Sequence, residues 1–255
     1  MDRRVALVRR PGPRLADGLV THISRSPLDV DLAVRQWEDY LAALQQAGWE
    51  TVEAPPADDH PDAVFIEDPV FVYGELAVLC RSGAPERQGE TAGLEEVLVA
   101  HGYRVAQISE PGTLDGGDVL KFGGTVWVGQ GGRTNAEGLA QLRELLAPLG
   151  AEVAGVPLRS VLHLKSAVTA LPDGTVIGYP PLVDSPESFA RFEPVPEESG
   201  AHVVLLGDDV VLMASSAPQT ARHLQERGLC VVTVDISEFE KLEGCVTCLS
   251  VRLRG

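Results

Sequence analysis

Regularly spaced glycines end the helical stretches of this chain, and that spacing limits its fold more than any other feature. Val30, Val34, Trp37, Leu41 and Leu44 step by four and three residues, and Gly48 follows. Leu94, Val97 and Leu98 precede Gly102. Leu139, Leu142, Leu146 and Leu149 precede Gly150, and Leu224 precedes Gly228. Glycine just past a helix takes the left-handed conformation that stops it without steric cost. Thr134 with Glu137 has capping-box spacing, and Ser216 with Pro218 marks another helix start. After each glycine comes a short strand-like run: WETVEA, YRVAQI, AEVAGV or LCVVTV. A loop and a second apolar run follow: AVFIEDPVFV, GGDVLKFGGTVWVG, LHLKSAVTAL or CVTCLSV. The long interval between Gly150 and Gly228 holds one more unit, SPESFARFEPVPEESGAHVVLLGDDVVLMAS, with a shortened helix and no glycine stop. Five strand–strand–helix–strand units about fifty residues apart predict a closed, propeller-like α/β ring occupying one domain, 1–255. A doubly wound sheet is the alternative. Against it, no G-x-G-x-x-G is present, and Gly123-Gly124 and Gly129 to Gly132 fit hairpin turns.

A closed ring turns equivalent positions of its units toward one axis. Asp62 lies fourteen residues past Gly48, Asp115 thirteen past Gly102, His163 thirteen past Gly150 and Cys248 twenty past Gly228. Two carboxylates, a histidine and a cysteine are thereby expected at one point. The net charge of −16 argues against nucleic acid or an anionic membrane as partner and suits a cationic small substrate, although solubility alone also accounts for it. No apolar run approaches the ~18 residues of a membrane span. Val5 to Val8 is too short for a signal-peptide core and reads as a buried strand. Four scattered cysteines make no disulfide framework, so the cytoplasm is the expected location.

Each candidate has a plainer reading beside the functional one. Cys245 and Cys248 form a C-x-x-C, but only LSVRLRG follows, which alternates like a strand. A redox pair normally precedes a helix, whose N-terminus lowers the thiol pKa, and a zinc site needs about four ligands. If 245–251 is extended, the two thiols point to opposite faces and cannot share a pocket. Both would then be small buried hydrophobes, unless the ring makes Cys248 functional. His163, in an apolar run, is either a hydrogen-bonded core residue or a ring-facing group. Asp115 and Asp118 beside paired glycines are turn residues or site residues. Asp62, Glu67 and Asp68 repel one another and lose hydration, which a bound cation would relieve; a solvated edge is the alternative. Arg87 and Arg133 precede or open helices, where the dipole needs no cation. A substrate carboxylate, or simple surface solvation, explains them.

Taken together, PDAVFIEDPV, RSGAPERQGET, EPGTLDGGDVL, GGRTNAEG, LHLKS and LEGCVTCLS, in this order, resemble the dimethylarginine dimethylaminohydrolases of the guanidino-modifying superfamily. The resemblance runs from about residue 5 to the C-terminus. It implies a five-bladed α/β propeller, the pentein fold, made of five ββαβ-type repeats with pseudo-fivefold symmetry. It also implies hydrolysis of Nω-methylated arginine to citrulline with no metal or organic cofactor. Cys248 matches the nucleophile, His163 the acid/base and Asp115 the carboxylate that orients it. Asp62, Glu67 and Asp68 match the guanidinium-binding carboxylates, and Arg87 and Arg133 the arginines for the substrate α-carboxylate. Leu19, in the lid-like RLADGLVTH, and Leu242 match backbone contacts to the amino-acid end. Two features depart from the pattern: Gly200-Ala201-His202-Val203 replaces Ala-Ala-Asn-Cys, and aspartate at 115 is one methylene shorter than a glutamate there. Arginine deiminases carry His-x-Asp where this chain has His163-Leu164-Lys165. On a strand Lys165 would share a face with His163 and accept no hydrogen bond from an unsubstituted guanidinium, so arginine is expected to be a poor substrate. Arginine deiminase, amidinotransferase and a non-catalytic propeller module stay as alternatives. The oligomeric state is left open between monomer and homodimer.

Overall fold

The computed structural model describes residues 4–254; residues 1–3 and 255, at the limits of the expected domain, lie outside it. Its described strands form five three-stranded sheets. Four sheets each contain one hairpin and one parallel crossover. Val70–Tyr73 pairs antiparallel with Leu76–Leu79, which pairs in parallel with Arg104–Gln107. The same pattern joins Val119–Phe122, Thr125–Gln130 and Glu152–Pro157. It recurs in Val168–Ala170, Val176–Gly178 and Phe192–Pro194, and in Val204–Leu205, Val210–Ala214 and Cys230–Val234. The remaining sheet takes its antiparallel strand from the far end of the sequence: Val251–Arg254 pairs with Arg4–Val8, beside Glu50–Glu53. That pairing closes five ββαβ units into the expected α/β propeller.

The crossover helices are amphipathic, and their inner faces fill the spaces between blades. Helix α1 (Val30–Gln46) begins at Asp29, whose carboxylate accepts the Leu32 N–H at 2.9 Å. It buries Ala33, Gln36, Trp37, Tyr40, Ala43 and Leu44. The stripe is rotated from the sequence expectation, for Val34 and Leu41 are only half-buried. Burying Tyr40 instead has a purpose. Its hydroxyl donates to the Val246 carbonyl at 3.0 Å and lies 2.7 Å from Ser250 Oγ. Helix α2 (Leu94–Ala100) packs Leu94 and Leu98 inward, and α3 (Ala136–Leu146) packs Leu139, Leu142 and Leu146.

Both expected helix starts move. Asn135, not Thr134, caps α3, its side chain accepting the Gly138 N–H at 2.8 Å. Helix α4 (Pro218–Glu226) has Ala217 at its N-cap, and the distant Glu197 carboxylate accepts the Gln219 and Thr220 N–H groups. Gly48, Gly102, Gly150 and Gly228 all have positive φ, from 73° to 91°, as helix stops require. In the fourth unit, short turns at Pro180–Leu182 and Pro186–Ser188 replace the helix, and Trp127 Nε1 donates to the Ser188 carbonyl over this thinner wall. A short helix, α5 (Ser237–Glu240), completes the fifth unit. No helix among the described residues is long and apolar enough to cross a membrane.

Candidate active site

Each blade is preceded by a loop at the same place in its repeat, and these loops carry the chemistry. Asp62–Asp68 leads into Val70, Asp115–Asp118 into Val119, and His163–Ser166 into Val168. His202 leads into Val204, and Cys245–Ser250 into Val251. The runs around His163 and Cys248 are therefore turns, not the strands expected from their apolar alternation. Buried, strand-like composition stays in turn geometry here because backbone groups find local partners. Ser166 N donates to the His163 carbonyl at 3.0 Å, and Cys248 N to the Cys245 carbonyl at 3.1 Å. One consequence reverses an expectation. Cys245 and Cys248 are not on opposite faces: their Sγ atoms lie 3.3 Å apart, and both are buried.

The loops meet through a buried charge network. His163 Nε2 lies 3.0 Å from Asp115 Oδ2, so aspartate is long enough at this position, and His163 Nδ1 lies 3.7 Å from Asp68 Oδ1. Asp115 Oδ1 also accepts the Gly83 N–H at 3.2 Å, and Asp68 Oδ1 the Gly117 N–H at 3.1 Å. Gly117 is required by this closeness: a Cβ there would sit 2.6 Å from Asp68 Oδ1 and 2.7 Å from His163 Nδ1. Burial alone would lower the His163 pKa, but Asp68, the Asp115 hydrogen bond and Asp118 outweigh it and raise it to about 9. Burial pushes Asp115 up, yet the bond and charge of His163, with Arg87 and Arg133, pull it down to about 2. At neutral pH the pair is an imidazolium and a carboxylate.

Asp118, ambiguous in the sequence, belongs to the support of this site. It accepts the Leu164 N–H at 3.0 Å and the Thr134 hydroxyl at 2.6 Å, fixing the turn that follows His163. Thr134, read as a helix cap, serves here instead. Burial raises the Asp118 pKa to about 7.

The remaining candidates are near but differently engaged. Arg87 is buried and forks onto Glu90, with Nη1 2.6 Å from Asp68 Oδ2 and Nη2 donating to the Asp62 carbonyl. Arg133 makes a longer 3.5 Å contact to Asp115 Oδ2. Asp62 accepts the Leu19 N–H with both oxygens at 3.1 Å, so the loop containing Gly18 and Leu19 closes over it. Leu242 is buried in the adjoining core, its Cδ1 3.3 Å from where a Gly18 Cβ would stand. Glu67 donates its N–H to the Cys248 carbonyl at 3.2 Å, while its Oε1 lies 2.6 Å from Lys165 Nζ. Its Oε2 is buried without a hydrogen-bond partner. Lys165 sits in a short turn, so the shared-face argument from a strand does not apply; it reaches the site by neutralising Glu67. Cys248 is pushed well above the ordinary thiol range by its bond to Cys245, then burial, then the Cys245, Glu67 and Asp68 charges. Asp68, Asp115 and His163 offer ligand atoms within 4.8 Å of one another, a spacing that can hold a metal ion. Their oxygens already accept bonds from Arg87, Arg133, Gly83 and Gly117.

A cysteine turn, a charged histidine–aspartate pair and buried carboxylates on the loops that enter the blades of a five-bladed α/β propeller place the chain among the penteins. No family model matches the chain. A dimethylarginine dimethylaminohydrolase of Streptomyces coelicolor is 62% identical over 254 residues, covering 100% of this chain and 98% of the relative. The Pseudomonas aeruginosa enzyme, solved as a cysteine-to-serine mutant with citrulline, superposes with a TM-score of 0.91 at 33% identity, covering 98% of this chain and 99% of that one. A histidine-to-glycine dimethylarginine dimethylaminohydrolase bearing an adduct with S-methyl-L-thiocitrulline gives 0.92 at 32% identity, covering 99% and 100%. The chain belongs to the dimethylarginine dimethylaminohydrolase family.

Proposed function

We propose that this chain, as one catalytic domain over 1–255, hydrolyses Nω-methylated arginine to citrulline and dimethylamine or methylamine through a covalent intermediate on Cys248. The observation that carries this reading is the unpaired Glu67 Oε2, buried beside the Cys248 turn. A buried carboxylate oxygen without a donor is costly, and a guanidinium N–H is the donor it lacks. Relatives named for this reaction, one solved with citrulline and one with a thiocitrulline adduct, support it.

In this reading Asp62, Glu67 and Asp68 receive the guanidinium, and its permanent charge offsets the Cys245 bond, the burial and the carboxylates that keep Cys248 protonated. Cys248 then loses its proton to solvent, and the resulting thiolate attacks the central guanidinium carbon. Imidazolium His163, held by Asp115, donates its proton to the departing amine, leaving an amidino-thioether on sulfur. His163, now neutral, takes a proton from water, and the hydroxide expels the thiolate and yields citrulline. Arg133, more lightly held than Arg87, anchors the substrate α-carboxylate, with Arg87 bracing Asp68. The net charge of −16 suits a cationic small molecule rather than nucleic acid, and the expected setting is the cytoplasm.

The test is citrulline release from asymmetric dimethylarginine and from arginine, using wild type and Cys248→Ser. Release from the methylated substrate that disappears in the variant is expected. Arginine should turn over at least about tenfold less well, because Lys165 occupies Glu67 Oε1 and accepts no hydrogen bond. Faster release from arginine would move the assignment to a deiminase.

A further inference from the structure

We propose that Cys245 and Cys248 form a reversible oxidation site, at which a hydroperoxide converts the dithiol into a disulfide and removes the nucleophile. The silencing rests on the reading of Cys248 given above; the oxidation chemistry does not.

Geometry supports it first. The Cys248 N–H bond to the Cys245 carbonyl closes a four-residue turn, which holds the two Cα atoms within ~7 Å, inside the span a disulfide bridges. Their sulfurs, 3.3 Å apart, need to approach by roughly 1.3 Å to reach a bond of about 2.05 Å. Val246 and Thr247 between them are part of the turn and do not separate the thiols.

Access and activation fall on Cys245. It lines a cavity of about 440 Å³ together with His22, Ser166, His202, Glu243 and Gly244. The hydrogen bond shared with Cys248 is the main influence lowering the Cys245 pKa, and it outweighs burial; His202 and Thr247 add to it. Cys245 is therefore the sulfur that a peroxide entering this cavity meets, and Cys248 is the neighbour poised to resolve it. His202, which held little signal in the sequence, precedes the Val204 strand and lies on the cavity wall.

The step balances. Cys245 thiolate attacks one peroxide oxygen, forming a sulfenic acid and breaking the O–O bond, with the other oxygen leaving as an alcohol or water. Cys248 sulfur then displaces the sulfenic oxygen as water, forming the S–S bond. Two thiols are oxidised and one hydroperoxide is reduced. A thiol reductant reverses the change.

The experiment treats wild type with hydrogen peroxide and follows intact mass, peptide mapping and activity. Expected are a loss of two hydrogens, a Cys245–Cys248 cross-linked peptide, and activity that falls with the cross-link and returns with dithiothreitol. Cys245→Ala should show no cross-link and at least about tenfold slower peroxide oxidation of the site. Sulfinic acid on Cys248 in wild type without a cross-link would overturn the proposal, as would equal oxidation rates in wild type and variant. Because wild-type mapping stands alone, a poorly folded variant leaves the test intact. A reversible cross-link in a protein that releases no citrulline would uphold the oxidation site and defeat the hydrolase reading instead.

Discussion

At the scale of single residues, the site depends on one charged pair being held in the dry. His163 titrates near 9 against an ordinary 6.5. Its partners thus contribute stability that is complete below pH 6.5 and is lost as pH rises through about 9, roughly 3 kcal/mol in all. Asp115, depressed to about 2, sets the acid limb of the same interaction, lost as pH falls from its ordinary value through about 2. Asp115→Asn should lower kcat by about 10²–10⁴, since His163 loses both orientation and charge support. The stability gap between wild type and this variant, read by urea unfolding, should be widest near pH 6 and narrow by pH 10. A gap that does not change with pH would show that the pair is neutral in the folded protein. Asp62, Asp115 and His163 are visible in the sequence because each lies before a blade's first strand, thirteen or fourteen residues past a glycine stop, whereas Cys248 lies twenty past its own. Their partners were not visible. Alternation marked the Cys248 and His163 runs as strands, and nothing local announces that tight turns lie there instead. An extended chain would put Cys245 on the face opposite Cys248 and align Lys165 with His163, whereas the turns bring Cys245 to Cys248 and Lys165 to Glu67.

At the scale of elements, the loop over Asp62 is latched from the other end of the chain. Glu243 accepts the Thr21 N–H at 2.6 Å, the Thr21 hydroxyl at 2.9 Å and the His22 N–H at 2.7 Å. Its own φ is 62°, the one positive value among described non-glycine residues. A side chain there costs about 1 kcal/mol or more in backbone strain, so the latch offsets a real penalty. Glu243→Ala keeps the strain and loses the latch. We expect KM for dimethylarginine to rise about tenfold with kcat little changed, and amides of residues 18–23 to exchange faster. An unchanged KM with unchanged exchange would mean that the Asp62 contact to Leu19 closes the loop by itself. The sequence marked RLADGLVTH as lid-like but gave no sign of its fastener, which lies more than two hundred residues away. The fourth unit's missing helix is legible in part, for the absent glycine stop signals a shortened crossover.

At the scale of the whole molecule, the ring's seam is the Arg4–Val8 to Val251–Arg254 pair, with Arg4 opposite Arg254 and Leu7 opposite Val251. The two ends of the described chain are therefore neighbours. Joining them with a short glycine–serine linker and opening the chain between Gly123 and Gly124, where an added Cβ meets nothing within 4 Å, should give a folded, active permutant. A permutant that folds without activity would show that the seam also fixes the Cys248 turn, which only Leu249 and Ser250 separate from the closing strand.

The seam has a further consequence during synthesis. Of the described strands, the first to be synthesised has its antiparallel partner in the last, so its edge stays uncovered while four blades assemble beside it. The proposed nucleophile arrives with that same closing segment. A nascent chain thus carries its carboxylates, arginines and histidine long before it carries its thiol, and the reactive centre exists only once the circle is shut.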